Sequence, residues 1–166
     1  MKTLLTLPFF LLFLISSPSW GADYIWNNSY GLYERDGVWF KFYGYPFTGE
    51  VKSESTSGWM FEGKRHGLWT EYWENGQVKS SGKYINGRQD GLWVRYWVDG
   101  NLRDKGNYID GRRDGLWVRY WGNGELRDKG VYEDGKKEGR WIAYLNFGAP
   151  VKGLSGVFKN DVKISD

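Results

Sequence analysis

Along most of this chain, hydrophobic and polar positions alternate with a period of two, and the alternation restarts every 24 residues. Gly91-Leu92-Trp93-Val94-Arg95-Tyr96-Trp97 places Leu92, Val94 and Tyr96 on one side of an extended strand, and Trp93, Arg95 and Trp97 on the other. The same phrase occurs as Gly67-Leu68-Trp69-Thr70-Glu71-Tyr72-Trp73 and as Gly115-Leu116-Trp117-Val118-Arg119-Tyr120-Trp121. Gly139-Arg140-Trp141-Ile142-Ala143-Tyr144 opens a further copy, and units 91–114 and 115–138 share 16 of 24 residues. A fixed period of this length marks a repeat array whose units bury a core only by stacking on their neighbours.

Each unit is predicted to be a β-hairpin. Val98-Asp99-Gly100, with its counterparts Glu74-Asn75-Gly76 and Gly122-Asn123-Gly124, supplies the expected tight turn, because Asn-Gly and Asp-Gly accept positive φ at both central residues. The chain returns through Leu102 to Tyr108, and a slightly longer turn, Asp110 to Gly115, leads into the next unit. Gly82, Gly106 and Gly130 fall in mid-strand, where glycine normally weakens a sheet; the expected reason is room for a large ring from the adjacent strand.

The ends fit the same frame with edits. Gly37-Val38-Trp39-Phe40-Lys41-Phe42-Tyr43 matches an opening segment and Gly58-Trp59-Met60-Phe61-Glu62-Gly63 a return segment, with six extra residues between them. Gly156-Val157-Phe158-Lys159-Asn160-Asp161 mirrors Gly106 to Gly111, after a two-residue insertion around Ala149-Pro150. The predicted units are therefore 37–66, 67–90, 91–114, 115–138 and 139–161, with 22–36 as an additional half-unit or cap strand. The fold class expected is all-β: an elongated, open antiparallel sheet of about five stacked hairpins.

Composition sharpens this picture. The 24 glycines and 19% aromatic residues suit many turns joining aromatic strands rather than a helical bundle. A net charge of +3 with acids and bases interleaved does not make the concentrated basic face that nucleic acid requires. Lys2, an apolar stretch from Leu4 to Ile15 and the small, polar Ser16-Ser17-Pro18-Ser19-Trp20-Gly21 read as an export signal over residues 1–21, cut after Gly21. The other reading, an uncleaved anchor, asks a twelve-residue apolar stretch to span a bilayer. The mature domain, 22–166, is expected to be periplasmic or extracellular. It has no cysteine, so disulfides and thiolate chemistry are excluded.

The pattern Gly106-x-Tyr108-x-x-Gly111-x-x-x-Gly115-x-Trp117-x-x-Tyr120 resembles the membrane occupation and recognition nexus (MORN) repeat. Gly63-Lys64-Arg65-His66-Gly67 and the turn Asn75-Gly76-Gln77 resemble its 22–24-residue bacterial variant. The resemblance covers about 37–161 and implies an open, twisted sheet of hairpins acting as a protein- or lipid-interaction scaffold. Some bacterial relatives carry an antitoxin label from toxin–antitoxin pairs, which transfers little mechanism to an exported chain.

Candidate chemistry is sparse. His66 is the single histidine and fills the slot of Asp90, Asp114 and Glu138, so a turn role is expected rather than a catalytic one. Glu71 with Glu74, or Asp90 with Asp114, occupies slots where a repeat needs solvated polar residues. No catalytic residue, metal site or cofactor is expected, and the chain is not expected to be an enzyme. The candidate binding face is the two tryptophan rows and the arginines between them: Trp69, Trp73, Trp93, Arg95, Trp97, Trp117, Arg119 and Trp121. Left partly exposed, these could dock a protein partner or stack on a glycan; the alternative is that the rings are the sheet's own packing, with arginine stems lying over them. Reversing Arg95 and Arg119 is expected to spare folding if that face is open. A candidate basic turn edge, Lys64, Arg65, Arg88, Arg112, Arg113, Lys136 and Lys137, would suit an anionic membrane surface. A far-ultraviolet circular dichroism spectrum of the protein should show β-sheet with almost no helix; a helix-dominated spectrum would overturn the architecture.

Overall fold

The computed structural model describes residues 32–35, 38–41 and 44–166. Those residues contain no helix and thirteen strands: β1 (Leu32–Arg35), β2 (Val38–Lys41), β3 (Gly49–Lys52), β4 (Thr56–Phe61), β5 (Lys64–Tyr72), β6 (Val78–Ile85), β7 (Arg88–Tyr96), β8 (Leu102–Ile109), β9 (Arg112–Tyr120), β10 (Leu126–Glu133), β11 (Lys136–Ala143), β12 (Gly156–Lys159) and β13 (Val162–Ser165). Strands β3 to β13 form one open sheet of 11 strands in sequence order, and β1 and β2 pair separately. All pairings are antiparallel. The expected export signal, 1–21, and the first part of the 22–36 segment lie outside the described residues; its later part supplies β1.

The predicted alternation holds. Trp69, Trp93, Trp117 and Trp141 are 1–3% exposed, whereas Leu68, Leu92 and Leu116 on the other face are 59–68% exposed. The two faces of the sheet are thus unequal: a ring face carries the core, and among the described residues nothing covers the opposite face.

One contact repeats through the ring face. Each tryptophan lies over a mid-strand glycine of the preceding hairpin: Trp69 over Gly58, Trp93 over Gly82, Trp117 over Gly106 and Trp141 over Gly130. A Cβ at any of these glycines would sit inside the indole. The sequence reason is now concrete, since only hydrogen leaves space for the ring. At the same point the ladder between neighbouring hairpins breaks register, as between Gly82 and Lys83. The indole N–H donates to the backbone carbonyl of the residue after the glycine: Trp59 (2.9 Å), Lys83 (3.1 Å), Asn107 (3.0 Å) and Val131 (3.0 Å). A buried polar N–H is satisfied and a carbonyl at the bulge gains a donor.

Tyr84, Tyr108 and Tyr132 fill the spaces between the indoles. They meet Trp93, Trp117 and Trp141 edge-on at centroid distances of 5.0, 5.1 and 4.9 Å. Looser edge contacts of 6.1–6.3 Å close the series from Trp69 to Trp141. The core is therefore a one-dimensional stack, one Trp and one Tyr per unit.

Two expectations about the turns need correction. The tight two-residue turns are Asn86-Gly87, Asp110-Gly111 and Asp134-Gly135, flanked by pairs such as Ile109 with Arg112. Both residues of each have positive φ, about 50° and then 82–86°, the primed geometry that matches strand twist. The segments at Asn75, Asp99 and Asn123 are the longer turns. There the Asx side chain accepts the backbone N–H two residues on, at 3.0–3.1 Å, which lets a single positive-φ glycine suffice.

The first unit is also framed differently. The strand paired with β4 is Gly49–Lys52, with Val51 opposite Gly58 where later units place tryptophan opposite glycine. The Gly37–Tyr43 segment instead contributes β2, whose Trp39 exchanges backbone hydrogen bonds with Gly63 and Phe47 (2.7 and 2.9 Å) and packs against the end of the core. At the far end Gly156 is covered by the Lys163 side chain rather than by a ring. Both ends thus replace the indole with a smaller or flexible group.

Gly106→Val should destabilise the protein by roughly 1–3 kcal/mol or more through overpacking, although valine is a good strand former. Thermal unfolding of the variant checks this, and an unchanged Tm would mean that Trp117 does not depend on the bare backbone.

Candidate functional site

The ring face is where polar and aromatic side chains converge. Because β7 and β8 pair Trp93 with Gly106, the same register sets Arg95 opposite Asp104; β9 and β10 likewise set Arg119 opposite Asp128. Both carboxylates are buried, at 6% and 9% exposure. Asp104 accepts from Arg103 Nε at 3.0 Å, and its other oxygen faces Arg95 Nε at 3.5 Å without a hydrogen bond. Asp128 accepts from Arg127 Nε at 3.0 Å and from Arg119. Arg95 donates in addition to the Tyr108 hydroxyl. Each central unit therefore holds two guanidinium groups on one carboxylate. In the earlier unit the polarity is exchanged: Glu71 accepts from Arg65 at 3.1 Å and from the Ser80 hydroxyl at 3.0 Å.

Cations cover the rings throughout. Arg65 lies 4.7 Å from the Trp69 centroid, Arg113 4.8 Å from Trp117 and Lys137 4.6 Å from Trp141. Burial lowers the Lys137 pKa below the usual lysine value, with Arg119 adding to the effect. The second tryptophan row is half-buried beside the long turns, each indole under a cation: Lys79 over Trp73 (4.9 Å), Arg103 over Trp97 (5.4 Å) and Arg127 over Trp121 (5.5 Å). Trp121 Nε1 donates to the Tyr144 carbonyl, whereas the N–H groups of Trp73 and Trp97 have no partner. Between two units a hollow of about 330 Å³ is lined by Glu71, Lys79, Arg95 and Arg103, among others.

The sequence-predicted sites divide accordingly. Trp69, Trp93 and Trp117 are core and present no free ring, because each has the preceding unit's glycine beneath it. Trp73, Trp97, Trp121, Arg95 and Arg119 do share the ring face, yet the arginines are tied to buried acids. The basic edge does not form as one stripe. Arg65, Arg113 and Lys137 turn onto the ring face, while Lys64, Arg88, Arg112 and Lys136 stay at the exposed turns. Of these, Arg88 bonds Asp110 at 2.6 Å and Arg112 bonds Asp134, so half of the edge charge is neutralised. The Arg88 hydrogen bond holds the Asp110 carboxyl below its ordinary pKa. Sequence reasoning missed Asp104, Asp128, Arg103 and Arg127. For the acids the signal was parity: Asp104 shares the phase of Gly106 and Tyr108, which puts it on the ring face. Arg103 and Arg127 are out of that phase and reach the ring face at register shifts that the alternation does not show.

Charge reversal at Arg95 and Arg119 should consequently unfold the array rather than spare it. The reversal sets a second carboxylate against a buried one that keeps only Arg103 or Arg127. Disrupting a buried charge pair costs about 3–5 kcal/mol, whereas replacing both partners, Arg95→Met with Asp104→Leu, should cost far less. Chemical denaturation of both variants checks the order, and equal stabilities would overturn it.

Comparison with known proteins bears on the repeat itself. A family model described as a MORN repeat variant matches residues 65–86 and 113–134. The two matches begin two periods apart, in phase with the Trp-over-Gly contacts. No curated protein matches the chain. Among solved structures, one titled "Crystal structure of GtfA/B complex bound to UDP and GlcNAc" aligns over 70% of this chain and 24% of that chain, at 12% identity and a TM-score of 0.23. This chain spans about a quarter of the length of that one. With the repeat variant matched in two of its units and an open sheet of hairpins built on one recurring contact, the chain carries MORN-variant repeats.

Proposed function

We propose that this repeat scaffold is a non-enzymatic, exported protein that binds an acidic segment of a protein partner along its ring face. The observation that supports this is the charge of that face. Arg65, Lys79, Arg95, Arg103, Arg113, Arg119, Arg127 and Lys137 lie over its rings. Against these eight cations the same face sets Glu71, Asp104 and Asp128. The chain as a whole carries only +3, so its positive charge is concentrated here. Arg103 and Arg127 are the outer members of each two-to-one cluster and recur every two strands, roughly 9.6 Å apart at ordinary strand spacing. An extended acidic segment crossing the strands meets one such group per unit.

The same geometry disfavours the other ligand classes. A glycan needs open indole faces, and these carry cations instead; an anionic membrane needs a continuous basic edge, and half of that edge is paired with acids. An antitoxin-like role has no residue in the sequence or the fold to carry it.

Arg103→Gln with Arg127→Gln keeps part of each stem over Trp97 and Trp121, and leaves Arg119 bonded to Asp128 and Arg95 facing Asp104 at 3.5 Å. It removes the Arg103 and Arg127 hydrogen bonds to those acids, so thermal unfolding of the variant is measured alongside. Tryptophan fluorescence titration with an acidic peptide (a glutamate-rich 12-mer) should show binding that weakens at least tenfold in the double variant and falls with added salt. Equal affinity in both proteins, or tighter binding to phosphatidylglycerol vesicles through the turn edge, would overturn the reading.

A further inference from the structure

The face opposite the rings is apolar to an unusual degree for a solvent-facing sheet. Leu68, Leu92 and Leu116 stand at the same position of successive units and are 68%, 59% and 60% exposed. Trp59 (48%), Ile109 (58%) and Val131 (43%) extend the strip across β4 to β10. Together these residues expose on the order of 700 Å², close to what each partner gives to an interface of standard size, with Lys83 and Asn107 set among them opposite Leu68 and Leu92.

We infer that this strip is where two copies of the chain associate, sheet on sheet. The charges bordering it decide for a second copy. On the tight-turn side the strip is edged by Asp90 and Asp114, which pair in the ladder with Lys83 and Asn107. On the other side stand Lys105 and Lys129, opposite Val94 and Val118. Asp114, Lys105 and Lys129 have no ion partner among the described residues. A two-fold axis running along the array inverts the strand direction of one copy. It lays the leucine row of each over the Val94–Val118 row of the other and brings Asp114 beside the second copy's Lys105. A two-fold axis along the strands would set acid against acid. Both sheets carry the same 24-residue period, so one matched unit matches the rest, and the interface is self-complementary as a closed dimer requires. The ring face stays open in this arrangement, so the acidic-segment reading stands or falls separately.

Sedimentation velocity of the full chain should show a dimer. Leu92→Asp with Leu116→Asp should give a monomer with unchanged circular dichroism, since both side chains are exposed. Asp114→Lys should raise the dimer Kd about tenfold, and adding Lys105→Asp to it should restore association. A wild-type monomer at the highest concentration reached, or a leucine double variant that still dimerises, overturns the inference. So does a monomer that floats with phosphatidylcholine vesicles, which would put a lipid surface on the strip.

Discussion

The indole laid on bare backbone is the contact on which the array depends. A two-stranded hairpin is marginal in water, and nothing covers this sheet among the described residues, so the units must hold one another. Each tryptophan does so across a hairpin boundary, with its ring on one unit's glycine and its N–H on the next carbonyl. A buried Trp is worth about 3–5 kcal/mol against alanine, and the edge-on tyrosines add to that. The order of that chain of rings explains why the sheet is open and long rather than closed: each core ring looks backwards to one neighbour.

The same register explains the charges. Once Trp93 must face Gly106, Arg95 must face Asp104, two residues further along the pair. A carboxylate buried by the rings needs cations, and the arginines that supply them gain a ring to lie on. The positive surface is thus a by-product of the packing that cation–π contacts make tolerable, and each cluster carries one arginine more than its acid neutralises.

Much of this was legible in the sequence. Period two fixed which residues share a face, and the mid-strand glycines announced the rings above them. Local pattern failed where one motif had two possible uses. Gly37-Val38-Trp39 has the look of an opening strand, but only the pairing of Val51 with Gly58 shows that Gly49–Lys52 holds that place. Asp99-Gly100 and Asp110-Gly111 look alike as dipeptides. Asp110 takes positive φ while Asp99 uses its side chain to close a longer loop, a difference set by how many residues separate the strands. Arginines on an alternating strand look solvated until the opposite strand is placed, which is why the sequence leaves open whether Arg95 and Arg119 are free or lie over the sheet's own rings.

The backward-looking contact also bears on how such a chain changes length over generations. Every unit from β5 onward brings a tryptophan for the glycine before it and a glycine for the tryptophan after it, and the two ends are closed by Val51 and by Lys163. A tandem duplication of 24 codons anywhere between those ends would leave each ring with its glycine and both closures in place. Loss of 24 codons would do the same. The gene can therefore lengthen or shorten its product in single recombination events without passing through an unfolded intermediate sequence, and natural relatives should differ by whole units more readily than by single residues within one.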